Sequence, residues 1–207
     1  VMQYIDASMV GSLGAEASAS IGLVSTTTWL FWGLCVAAAT GFSVQVAHKI
    51  GAGDMQGARA VLRQSLTSTL VFSLLLSALG ATISGSLPGW LGGDISIRRD
   101  ASLYFCIFSF FLPALQMNFL AGGMLRCSGN MHAPSVAGVA MCILDVIFNF
   151  FLIFPSREWN IAGVSFTIPG AGLGVGGAAL GTAAAEAVVA GILLWYLWTR
   201  SDDLKLT

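Results

Sequence analysis

The stretch APSVAGVAMCILDVIFNFFLIF, residues 133–154, carries a single charge, Asp145, in an otherwise uncharged and strongly apolar run. The hydrocarbon core of a bilayer is crossed by roughly 20 residues of helix, and this run has that length. Its neighbours repeat the pattern. Ala17–Ala47 contains no Asp, Glu, Lys or Arg; Gln64–Leu87 and Ala101–Leu125 are similarly apolar; and a stretch from about Ile168 to Thr199 holds one acid, Glu186. Backbone that is not hydrogen-bonded internally is prohibitively costly in lipid, so all five are predicted to be helices. The Gly-rich beginning of the fifth is expected to form a loop or a bent helix entry.

Composition agrees with that reading. Of the 207 residues, 56% are hydrophobic and 9% charged, with a mean hydropathy of +0.83. A soluble domain is typically about 25% charged. The net charge of −1 provides no basic field for phosphates and argues against a nucleic-acid partner. Cys35, Cys106, Cys127 and Cys142 show neither C-x-x-C nor zinc-type spacing and read as packing residues. The first ten residues already carry Asp6, and no secretory cleavage pattern follows. The fold class expected is all-α: a polytopic transmembrane bundle spanning residues 1–207, with no separate soluble domain.

Loop charges set the orientation. Lys49, Arg59, Arg63, Arg126, Arg200 and Lys205 collect on one side, against Arg98, Arg99 and Arg157 on the other. The positive-inside rule places the larger set in the cytoplasm. Glu16 and the Gly11-Ser12-Leu13-Gly14 turn then face outward, and Val1–Val10 reads as the outer end of an earlier helix. The expectation is a fragment with five full spans and a partial first helix. Asp54, after Gly51-Ala52-Gly53, is placed to cap a short helix holding Arg59 and Arg63. Leu87-Pro88-Gly89 and Pro134 mark further boundaries. The alternating run Ile161–Ile168 predicts a small extracellular hairpin. Trp90, Trp159, Trp195 and Trp198 suit an interfacial belt.

Acids inside a membrane are the strongest functional signal. A central Asp costs about 2.5–3.5 kcal/mol on insertion scales, and such residues usually face a cavity or a partner. Asp145 lies roughly 18 Å along its helix from Ala133, with Asn149 one turn further on the same face. A carboxylate beside an amide oxygen offers hard ligands to sodium, or a proton site; the alternative is a structural interhelical hydrogen bond. Asp6 stands in the outer part of the stub helix, where an ordinary interfacial acid is equally compatible. Glu186 follows three alanines that permit close helix approach and is a candidate cavity acid or an interhelical partner. Gly172-Leu173-Gly174-Val175-Gly176-Gly177 satisfies G-x-G-x-x-G, but a nucleotide site needs a soluble strand and helix around it; leading into a span, it reads as a turn and a packing seam. His48 and His132 lie at span ends without metal spacing. Ser128 and His132 sit in a loop, which leaves no nucleophile and base at membrane depth. No enzymatic chemistry is expected.

Several of these segments together resemble the multidrug and toxic compound extrusion family. Ile5-Asp6-Ala7-Ser8-Met9-Val10-Gly11-Ser12-Leu13-Gly14-Ala15-Glu16-Ala17 is similar to its first helix and following turn. Gly51-Ala52-Gly53-Asp54 with Ala58 and Arg59 resembles its loop after helix two. Leu125-Arg126-Cys127-Ser128-Gly129-Asn130 with Pro134 resembles the loop before helix five, and Gly174–Thr182 the start of helix six. The resemblance covers nearly the whole chain in order. It implies the amino-terminal lobe of a twelve-helix, two-lobed transporter, with the carboxy-terminal lobe of the same polypeptide as a missing partner. It further implies export of small organic cations and drugs by antiport with H⁺ or Na⁺, in a multi-pass bacterial inner-membrane protein without a cofactor. Asp6 falls on the family's acidic position in helix one. Asp145 and Asn149 fall on a polar pair in helix five, the acid standing where many members carry the amide. Thr182 falls on a helix-six position that joins the same cluster. The implied ion-coupling set is Asp6, Asp145, Asn149 and Thr182, with Na⁺ at the first three as the sole metal expected. The alternatives are a lipid-linked oligosaccharide flippase of the same superfamily, whose cavity would be more cationic, and a non-transporting membrane scaffold subunit.

Overall fold

The computed structural model describes the backbone of residues 2–161 and 164–199, and the side chains of residues 5, 6, 8–156 and 170–199. Its elements run α1 (Met2–Gly11), α2 (Ala15–Gly51), α3 (Met55–Ile83), α4 (Leu87–Trp90), α5 (Ile95–Phe110), α6 (Leu112–Cys127), α7 (His132–Ile153), β1 (Pro155–Ile161), β2 (Val164–Ala171) and α8 (Gly174–Thr199). Among them α2, α3, α7 and α8 are each long and apolar enough to cross a membrane, and the bent pair α5–α6 makes a fifth span. The five spans expected from sequence are therefore present, with the ten-residue α1 before them. Arg200 and Lys205, and the side chains of Arg157 and Trp159, lie outside the described residues.

Three boundaries differ from the sequence expectation. The short helix ahead of the second span is instead continuous with it: Asp54 Oδ1 accepts from Gly57 N at 2.8 Å and caps α3 itself. Asp54 also pairs with Lys49 at 2.9 Å. The Lys49 ammonium, and then the Gly57 N–H, hold its carboxyl below the ordinary 3.8. Gly53, at φ 75°, makes the left-handed turn between α2 and α3. The third span is broken at Phe111. Pro113 has no N–H to continue the ladder, and both Ala114 N and Leu115 N donate to Phe111 O, at 3.0 and 3.2 Å. The fifth span starts at Gly174 rather than near Ile168, because residues up to Ala171 pair as the second strand of an antiparallel hairpin. That hairpin was expected over Ile161–Ile168. It is longer, with Arg157 opposite Ile168 and Ile161 opposite Val164.

The faces of α7 are reversed relative to a soluble amphipathic helix. Val136, Val139, Ile143, Ile147 and Phe151 are exposed at helical spacing, whereas Ala137, Asp145, Asn149 and Ile153 are buried. In lipid the apolar stripe is solvated by acyl chains, and the polar groups turn inward. Trp90, Trp195 and Trp198 are exposed, as an interfacial belt requires.

The chain divides into two compact units. One comprises Val1–Thr28, Gly80–Phe108 and Cys142–Ala185. Its core joins Val10, Ile153 and Ala178, with Met9, Ala17, Ile21 and Phe154 against them. Gly177 makes this packing close: a Cβ there would stand 2.6 Å from Leu152 C and 2.9 Å from Ile153 N. The other unit comprises Trp29–Leu79, Ser109–Met141 and Glu186–Thr207. Trp32 packs edge-on against Trp29 and Phe119, with ring centres 5.7 and 5.5 Å apart. Cys127 Sγ donates to Ser43 O at 3.2 Å, and Gly123 lies against the Ser43 hydroxyl.

Candidate ion site

Within the first unit, α1 and α7 bring three of the sequence-nominated residues together. Asp145 and Asn149 are one turn apart on α7 and both fully buried. Asn149 Nδ2 donates to Asp6 Oδ1 at 2.9 Å across 143 residues of sequence. The Asp6 carboxyl also lies within hydrogen-bonding range of Asp145. As carboxylates neither can donate, and both Asp145 oxygens and Asn149 Oδ1 are buried without a donor. Three orphaned acceptors beside a second carboxyl form an environment that favours a cation. Buried acceptors without partners are costly, and adjacent carboxylates repel in low dielectric. A proton shared between the acids relieves both, as does a monovalent metal ion held by carboxylate and amide oxygens. No group of three or more His, Cys, Asp or Glu that could hold a metal occurs among the described residues. The donor set is thus two carboxylates and one amide.

The fifth helical span closes on this cluster through glycine. A Cβ on Gly181 would collide with Asn149 Oδ1 and stand 3.0 Å from Asn149 N, so the bare backbone lets α8 reach α7. Thr182, the next residue, is half-buried, and no described contact joins it to the cluster. Successive helical residues diverge by about 100°, so Gly181 and Thr182 cannot both point at Asn149. Tyr104 of α5 lies within electrostatic reach of both Asp6 and Asp145, a neighbour that sequence reasoning missed. The available signal was a lone phenol in an otherwise phenylalanine-rich span.

Glu186 stands apart, in the second unit. It is buried at 9% exposure and accepts a hydrogen bond from Asn118 Nδ2 of α6. Asn118, also missed, is one of two amides in its span, with Gln116.

With this geometry established, a family model described as MatE matches residues 1–151. The chain belongs to the MatE family. A relative, "Probable multidrug resistance protein NorM" of Thermotoga maritima, is 23% identical over 197 residues, covering 95% of this chain and 40% of that protein. A solved structure of an inward-facing multidrug resistance MATE family transporter of the MOP superfamily superposes with a TM-score of 0.86. It is 22% identical, over 99% of this chain and 43% of that one. An outward-facing one gives 0.84 at 23%, over 99% and 42%. A MOP superfamily transporter from Pyrococcus furiosus gives 0.85 at 23%, over 100% and 42%. At these identities the structural likeness shows the fold. The MatE chain spans about two fifths of the length of these relatives. Family and spans together make it a multi-pass membrane protein.

Proposed function

We propose that this MatE chain forms part of a secondary transporter that exports small organic cations by exchange for H⁺ or Na⁺, with Asp6, Asp145 and Asn149 as the coupling-ion site. The observation that carries this reading is the set of buried, donorless oxygens of Asp145 and Asn149 beside the Asp6 carboxyl. A cation arriving there cancels carboxylate charge and satisfies the orphaned acceptors. Both effects favour closer packing of α1 on α7. A conformer so stabilised has less negative potential to hold a cationic drug, and that reciprocal penalty between two ligands is what antiport needs. Thr182 enters if a small rotation of α8 brings its hydroxyl toward the site, as the family resemblance implies. The relatives named for multidrug resistance support drugs as the substrate class.

The test is efflux of a fluorescent cationic dye from bacteria lacking their main pumps. Wild type, Asp6→Asn and Asp145→Asn are compared at matched membrane expression. The proposal expects efflux in wild type and its collapse in both variants, with imposed Na⁺ and pH gradients then separating the two ions. Unchanged efflux in the variants makes the acids structural.

A further inference from the structure

The second unit holds a cavity of about 140 Å³ between α6, α7 and α8. Phe119, Ala137, Met141, Val189 and Leu193 give it apolar walls, and Gly122 and Gly138 leave room beside them. Arg126 and Gly138 border it and are exposed, so it is reached from outside the unit. The Arg126 guanidinium folds back over Gly122, where a Cβ would stand 3.5 Å from Nη1. Among the described residues no carboxylate pairs with it. Nor does it cap its own helix: the last carbonyls, of Met124, Leu125 and Arg126, already accept from Ser128 N, Asn130 N and Gly129 N at 3.1, 2.9 and 3.1 Å. Pro134, in the first turn of α7, borders the same cavity, and the positive end of that helix adds to the guanidinium.

We propose that this cavity seats an anionic phospholipid, with its phosphate on Arg126 and the upper part of an acyl chain against the apolar walls. A guanidinium matches phosphate in shape as well as charge, because two parallel N–H groups can donate at once. Arg126 is the penultimate residue of α6 and stands beside the loop to α7, at the level of lipid headgroups, where basic pockets between spans meet anionic lipid. The cavity follows α6 inward from Arg126 to Asn118, eight residues or roughly 12 Å. Its hydrocarbon lining over that depth suits an acyl chain and gives a free phosphate nothing to bind. Charge fixes the orientation. Asn118, at the inner end, holds the Glu186 carboxyl, and Arg126 supplies the cation at the outer end, so an anionic headgroup settles only at Arg126. The proposal is independent of the antiport reading.

Native mass spectrometry of the purified protein tests it, following lipid retained on titration with phosphatidylglycerol or phosphatidylcholine of identical acyl chains. Wild type is expected to hold one phosphatidylglycerol more tightly than phosphatidylcholine. Arg126→Gln should abolish that preference, weakening phosphatidylglycerol by roughly fivefold or more. Arg99→Gln removes an exposed cation elsewhere and should leave the preference intact. Gly138→Leu should weaken both lipids by filling the seat; a Cβ there meets nothing within 4 Å, so the helix accepts the side chain. Thermal melts check that each variant is folded. Equal affinity for the two lipids in wild type overturns the proposal, as does an unchanged preference in Arg126→Gln or unchanged binding in Gly138→Leu. So does displacement of the lipid by an equal concentration of glycerol phosphate. A preference that emerges only in Asp202→Asn/Asp203→Asn would make the chain's own acidic residues the occupant and overturns it as well.

Discussion

Replacing Gly181 by alanine tests how tightly α8 is fitted to the ion site. The added methyl would stand 3.0 Å from both Asn149 Cγ and Asn149 N and would overlap Oδ1. Ordinary contact begins near 3.4 Å, so the shortfall to these two atoms is about 0.4 Å, with the oxygen displaced further. Part of that contact is backbone, which cannot swing aside. The amide must therefore rotate, and its 2.9 Å hydrogen bond to Asp6 is the contact at risk. A hydrogen bond to a charged group is worth about 1.5–3 kcal/mol; the Asn149 N–H supports the ionised Asp6 carboxyl, so its loss corresponds to roughly a 10- to 150-fold tighter hold on a coupling proton. Gly191 of the same helix supplies the control, since a methyl there meets nothing within 4 Å. The assay is the ion concentration giving half-maximal dye efflux in proteoliposomes, compared for Gly181→Ala, Gly191→Ala and wild type. With H⁺ as the coupling ion, Gly181→Ala should lower it by one to two orders of magnitude while Gly191→Ala leaves it unchanged. Equal values for Gly181→Ala and wild type would refute the fit described for Gly181 and Asn149.

Other consequences are simpler to read. Gly177→Ala sets a methyl against the Leu152 carbonyl and should destabilise the protein by about 1–3 kcal/mol without altering ion selectivity, as thermal melts in detergent can show. Asp54 is more acidic when folded than when unfolded, so the stability it lends is present above its ordinary value of 3.8 and is lost as pH falls through the lower folded value. Amide exchange at the start of α3 should therefore accelerate in that acidic window, and Asp54→Asn should remove most of the pH dependence. Pro113→Ala restores a backbone donor and should lengthen the protected helix across Phe111, which amide exchange at residues 110–115 would report.

The spans were legible because lipid demands long apolar helices, and a charge-free run such as Ala17–Ala47 admits few other readings. Asp6, Asp145 and Asn149 were legible for a related reason: polar groups at membrane depth are rare enough to be conspicuous, and the family resemblance joined the first to the other two. What escaped was rotation and reach. Nothing in the spacing of α8 reveals that Gly181, rather than Thr182, faces Asn149, since that depends on how the helix is turned against α7. The pairing of Asn118 with Glu186 joins residues 68 apart and is likewise fixed by packing alone. The start of α3 was misread because charged Arg59 and Arg63 ended the apolar count, although Asp54 already carried the cap. Pro113 held the signal for the broken third span, but its run of hydropathy is continuous and concealed the break.

The most direct test of the central claim is ion binding to the purified protein. Thermal stability would be measured across a pH series, with and without NaCl, for wild type and Asp145→Asn. The account predicts that wild type is stabilised by acid or by Na⁺ through one saturable site, and that Asp145→Asn abolishes that response. The same ion-dependent stabilisation in Asp145→Asn would contradict it.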